Sequence, residues 1–208
     1  MDQAVSIVVG FVLTTLIGGW WATRLQNRSW EHQNERRKHE EESRRASEAC
    51  DDLSRLLDKR LYRMRRLYWS IAAANRSPED VEAMEARLDD YNSVLYEWND
   101  RLNANLALLG SHFGTAARAY LFDLYERFRE VGRKLEFGVT AVRRRESLPT
   151  DFTSLDGEFE GWSEATLNGR VYVLGAALTA QLRDGLVGSR APARASMPDL
   201  APSASTAE

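Results

Sequence analysis

Residues 81–109 read VEAMEARLDDYNSVLYEWNDRLNANLALL. Val81, Met84, Leu88, Tyr91, Leu95, Trp98, Leu102, Leu106 and Leu109 recur in steps of three or four, which gathers them on one face of an α-helix. The stretch predicts a long amphipathic helix and sets the class of the chain as all-α. Its start is marked by Ser77-Pro78-Glu79-Asp80, with Ser77 as N-cap, Pro78 at the first helical position and Asp80 at the third. Gly110 is expected to end it, with Ser111 to Gly114 as the turn.

The same spacing continues on both sides. Upstream, Ala46, Cys50, Leu53, Leu57, Leu61, Met64, Leu67 or Tyr68, and Ile71 form one stripe. Downstream, Ala117, Tyr120, Leu124, Phe128, Val131, Leu135, Val139 and Val142 form a third, closing at Arg143-Arg144-Arg145 before Pro149. Leu155, Phe159, Trp162, Leu167, Val171, Leu174, Leu178 and Leu182 predict a fourth helix. Thr153 and Asp156 would cap its start, and Arg183-Asp184-Gly185 would end it. The apolar density from Val171 to Leu182 implies burial of that helix on more than one side. Together the stripes predict an antiparallel four-helix bundle over residues 46–186.

Charge sorts the helices. Residues 55–66 hold Arg55, Lys59, Arg60, Arg63, Arg65 and Arg66 against Asp58, whereas residues 79–101 are acidic on balance. Folding back near residue 76 brings Arg63 and Arg66 opposite Glu85, Asp89 and Asp90 as an interhelix pairing set. Exposed pairs contribute only about 0–1 kcal/mol each, so they select register more than they stabilise.

Before the bundle, proline is absent as far as Pro78, which permits one uninterrupted helix through the first 75 residues. Residues 23–45 are polar all round, rich in Glu and Arg, and read as a helical stalk or coiled-coil edge held by i,i+4 pairs. Ahead of them, Ala4 to Ala22 carry no charge. As a helix these residues reach roughly 28 Å, the thickness of a bilayer core, and residues 1–22 are therefore expected to form a single-pass transmembrane anchor. Asp2 is the sole charged side chain before the run, and Gly18-Gly19-Trp20-Trp21 at its end is not a cleavage site, which argues against a signal peptide. Arg24 and Arg28 follow directly, so the positive-inside rule places the N-terminus outside and the bundle in the cytoplasm, on the inner membrane. Ser6, Gly10, Thr14, Gly18 and Ala22 recur every four residues and form a small-residue face for packing against another transmembrane helix. Residues 187–208, dominated by Pro, Ala and Ser, are expected to be a disordered tail.

Composition narrows the function. A net charge of −3 over 208 residues opposes a general nucleic-acid binder. Cys50 stands alone, which rules out an internal disulfide and a cysteine-built zinc site. Arginine dominates lysine in the manner of a GC-rich bacterial genome. The cations and aromatics of residues 60–69 resemble a nucleic-acid surface, but the stripe reading turns the aromatics to the core and the arginines to the acidic helix. Arg143 to Arg145 either hold an anion or complement the negative end of their helix. His32 and His39 share a face of the stalk, with Glu35 between them, and make at best an adventitious metal site. Ser111-His112 lacks an orienting acid. Asn105 is a candidate buried polar register device. The paired Glu and Glu-x-x-His ligands of bundle enzymes are missing, so no catalytic residue, cofactor, metal or small-molecule substrate is indicated. The expectation is a non-enzymatic oligomerisation or partner-docking module on the membrane, partnered by lipid and by a second copy or another membrane protein. A membrane-acting effector or signal relay of toxin or defence type is the alternative. A phage lysis spanin would need the opposite orientation, against Arg24 and Arg28.

Overall fold

The computed structural model describes the backbone of residues 2–191 and, in full, Trp30 and residues 33–191. The charge-free run Ala4–Ala22, its packing face of Ser6, Gly10, Thr14, Gly18 and Ala22, the side chain of His32 and the tail from residue 192 on lie outside the fully described residues. Among the described residues no helix is long and apolar enough to cross a membrane.

The described residues form helices joined by turns, without strands: α1 (Asp2–Ala74), a 3-10 turn (Pro78–Asp80), α2 (Val81–Phe113), α3 (Thr115–Arg144), α4 (Leu155–Glu160), α5 (Leu167–Arg183) and a second 3-10 turn (Gly188–Arg190). It divides into two units, residues 1–42 and residues 43–208. In the first, side chains 33–42 are exposed or half-exposed and Trp30 is 62% exposed, as a helix without an apolar face requires.

The second unit is a helical bundle. In α1, Ala46, Cys50, Leu53, Leu57, Leu61, Met64, Leu67 and Ile71 are all buried. Lys59 pairs with Glu97 and Arg63 with Asp90, each at 2.7 Å, so α2 runs antiparallel to α1. Arg143 meets Glu85 at one end of the next interface, and Trp98 stacks tilted on Phe128 at 5.9 Å farther along, so α3 runs antiparallel to α2. On the α3 side, Arg127 holds Glu158 of α4, and Tyr120 donates to the Arg170 carbonyl of α5 at 3.4 Å. Fully buried side chains such as Trp98, Phe113, Phe128 and Met64 dominate this core, each worth roughly 1.5–3 kcal/mol on leaving water.

Four expectations shift. α2 passes through Gly110 and stops at Gly114, whose φ of 89° is open to glycine without a side-chain clash. That extra turn buries Phe113 completely. The continuous fourth helix is instead two, α4 and α5, separated at residues 161–166. Gly161 turns extended, and Thr166 starts α5 by accepting from the Gly169 amide, at 3.2 Å, a cap that Thr153 and Asp156 do not provide. Phe152, in the segment between Arg145 and α4, is 2% exposed, and its ring lies 5.1 Å from Tyr68. It packs so close to α3 that a Cβ on Gly138 would fall 2.6 Å from its ring. Finally, Val187 is fully buried, and the turn after it packs on α2, so order persists past the point where composition placed the tail.

Candidate functional site

The fourth position of the bundle carries an open apolar groove of about 630 Å3 between α1 and α5. Leu57 and Leu61 of α1 and Val171, Leu174 and Leu178 of α5 are buried along it. The groove exists because α5 presents small residues outward. Gly175 has nothing within 4 Å of where a Cβ would stand, and Ala176 and Thr179 flank it. Burial of α5 on more than one side therefore fails: Tyr172, one position after Val171, is 62% exposed. Trp162, assigned to the core stripe by spacing, is 73% exposed and meets Tyr172 edge-on at 6.0 Å. The break between α4 and α5 moves Trp162 out of register, and two rings stand over an apolar trough. At its rim Asp58 is exposed and makes no ion pair among the described residues, while Arg183 is 77% exposed beside Asp184.

Beneath this surface lies a buried cation. Arg60 is 1% exposed, with its guanidinium carbon 5.0 Å from the Trp98 ring centre and 4.5 Å from that of Phe128. Burial lowers its pKa, opposed by the neighbouring Tyr91 hydroxyl and by Tyr125, and no carboxylate takes part. Its Nε and Nη1, together with Trp98 Nε1, lack hydrogen-bond partners among the described residues. The Tyr91 hydroxyl fits because residue 132 is glycine: a Cβ there would lie 2.8 Å from it. Arg60 thus belongs to the core rather than to the charged face facing α2. The signal was present: Cys50, Leu53, Leu57, Arg60, Met64, Leu67 and Ile71 keep strict alternating steps of three and four.

The predicted pairing residues lie on α1 and α2, but they do not form one set, because Glu85 takes its partner from α3. Arg63 Nη1 meets Asp90 Oδ2 at 2.7 Å, and Arg87 shares that carboxylate at 3.1 Å. Glu85 faces α3, where Arg143 Nε and Nη2 donate to it at 2.7 and 2.6 Å and hold its carboxyl below the usual range. Asp89 is exposed and adds its field to Arg143. Arg66 donates to the Tyr62 hydroxyl at 3.3 Å. Ser111 donates to the Leu108 carbonyl at 2.9 Å and lies within α2, not in a turn. Asn105 keeps a buried Nδ2 without a partner among the described residues, as does His39 at Nδ1. Burial raises the pKa of the Cys50 thiol. Among the described residues no group of three or more His, Cys, Asp or Glu side chains is placed to hold a metal ion.

No protein-family model, curated protein or solved structure matches the chain.

Proposed function

We propose that the chain is a single-pass, membrane-anchored helical-bundle module on the cytoplasmic side of the inner membrane, which works by docking and not by catalysis. The observation carrying this reading is the trough between α1 and α5, with Trp162 and Tyr172 exposed above it. Exposed aromatics beside an apolar concavity are what interface hot spots are made of. The occupant assigned to it is a second copy of this chain. Its rim offers both signs of charge in Asp58 and Arg183, and Gly175 lets a facing helix approach closely. The small-residue face of Ser6, Gly10, Thr14, Gly18 and Ala22 would reinforce pairing within the bilayer. The anchor itself rests on the charge-free run and on Arg24 and Arg28 after it.

The test uses full-length protein expressed in bacterial membranes, with Thr179→Cys introduced beside the native buried Cys50. Oxidative crosslinking to a dimer, weakened when Trp162→Ala and Tyr172→Ala are added, is the expected result. Monomer at every expression level, or capture of a different protein through this face, rejects the second copy. Recovery of the unmodified chain in the soluble fraction rejects the anchor.

A further inference from the structure

A second concavity, of about 570 Å3, opens where α1 ends, the Pro78 turn begins and α3 ends. Three arginines line it, Arg76, Arg143 and Arg145, against one acidic residue, Glu146. Part of this charge has a structural role. Arg76 Nε donates to the Ala72 carbonyl at 3.1 Å, completing the end of α1, and Arg143 is spent on Glu85. Neither role reaches the two terminal nitrogens of Arg76 or any nitrogen of the Arg145 side chain, which make no hydrogen bond or ion pair among the described residues.

Arg145 is also the single non-glycine residue with positive φ among the described residues, at 57° with ψ 34°. Its amide closes α3 on the Ala141 and Val142 carbonyls, a position that glycine occupies without steric cost. Arg145 thus stands on the wall of a cleft beside a second guanidinium, that of Arg76, whose terminal nitrogens are unpaired among the described residues. Charge-assisted forks of this kind match the oxygens of a phosphate.

We propose that this cleft binds a phosphate group, with Arg76 and Arg145 donating to its oxygens and Asn75, also on the cleft wall, as a neutral donor. The inference stands apart from the docking groove, which lies between other residues. The phosphate belongs either to a free anion or to a lipid headgroup, and the experiment separates them.

Full-length protein in neutral detergent is titrated calorimetrically with pyrophosphate at low salt, and in parallel with mixed micelles containing phosphatidylglycerol. Saturable binding in the first arm identifies a soluble ligand, and binding in the second alone identifies a headgroup. In either case Arg76→Gln with Arg145→Gln weakens it about tenfold or more. Arg145→Gly serves as the folding control: it weakens binding while leaving the melting temperature unchanged or higher, because the backbone strain is relieved. Absence of binding in both arms, or equal binding by the glutamine variant, overturns the proposal.

Discussion

The Arg60 guanidinium lies over the Phe128 ring, 4.5 Å from its centre, although no carboxylate shares the core with it. Ring faces attract a desolvated cation by about 2 kcal/mol, whereas desolvation of the charge costs several. The balance is therefore close. The long stem of the side chain fills volume whatever the charge does.

Arg60→Met should accordingly leave stability within about 1 kcal/mol of the parent, because it keeps the stem and discards an unpaired charge. Arg60→Ala should cost about 3 kcal/mol, because it leaves a cavity between Trp98 and Phe128. Urea unfolding of both variants checks the pair. A Met variant as unstable as the Ala variant would mean that the rings and the Tyr91 hydroxyl outweigh desolvation.

Two helical glycines should respond with opposite signs to the same change. Gly138→Ala forces a methyl to within 2.6 Å of Phe152 and 3.2 Å of Ile71, and should destabilise by about 1–3 kcal/mol. Gly175→Ala meets nothing within 4 Å and should stabilise by about 0.5–1 kcal/mol through helix propensity. Thermal melts at one pH decide it: a Gly138→Ala variant as stable as the parent would show that Phe152 does not crowd this position, and a destabilised Gly175→Ala would show that the groove does not stand open there.

Glu158 ties three elements together. It pairs with Arg127 of α3, and its Oε2 accepts from the Leu167 amide at 2.9 Å, at the first turn of α5. Burial works to lower the Arg127 pKa, but the carboxylates of Glu158 and Glu130 outweigh it. Glu158→Ala should cost about 2–3 kcal/mol, while Glu158→Gln, which keeps an acceptor, should cost about 1 kcal/mol. Hydrogen exchange at residues 167–169 should accelerate in the alanine variant alone, and unchanged exchange there would refute the capping role.

Alkaline stability should depend on Tyr120. Burial chiefly, with the nearby Glu164, pushes its pKa up to about 12, opposed by Arg170. The folded state thus holds the phenolic proton more tightly than the unfolded chain, whose value is near 10.0. Its contribution is complete below pH 10 and disappears as pH rises through about 12. Tyr120→Phe should flatten the fall in melting temperature between pH 9.5 and about 11.5. Tyr68 and Tyr91, also raised by burial, will leave a residual slope. A profile identical to the parent would show that Tyr120 titrates freely.

The periodic stripes made the helical class and most of the core legible in the sequence. From Ala46 to Ile71 the predicted positions are buried, and in α3 all except the half-buried Tyr120 are. Helical spacing is local, so it can be read one residue at a time. The exceptions mark where partners distant in sequence decide. Trp162 keeps the spacing of a core residue but sits outside, because Gly161 and the Thr166 cap restart the helix in a new register. Phe152 lies in no stripe yet is buried, because Gly138, fourteen positions earlier, leaves room for its ring. The spacing that placed Arg60 among the apolar positions was visible, but a charge there reads as surface until Trp98 and Phe128 are known to cover it.

The cleft at the end of the bundle follows the same division. Arg143 to Arg145 were conspicuous as a run, but which of them was already spent depended on Glu85 lying across the interface. Arg76 joined them only because α1 ends beside the end of α3. Sequence alone determined the helical class and the apolar positions that turn inward along α1 and α3, since those follow from 3.6 residues per turn. Tertiary structure decided which helix face remains uncovered and which charges meet, since those depend on residues many turns apart packing at van der Waals distance.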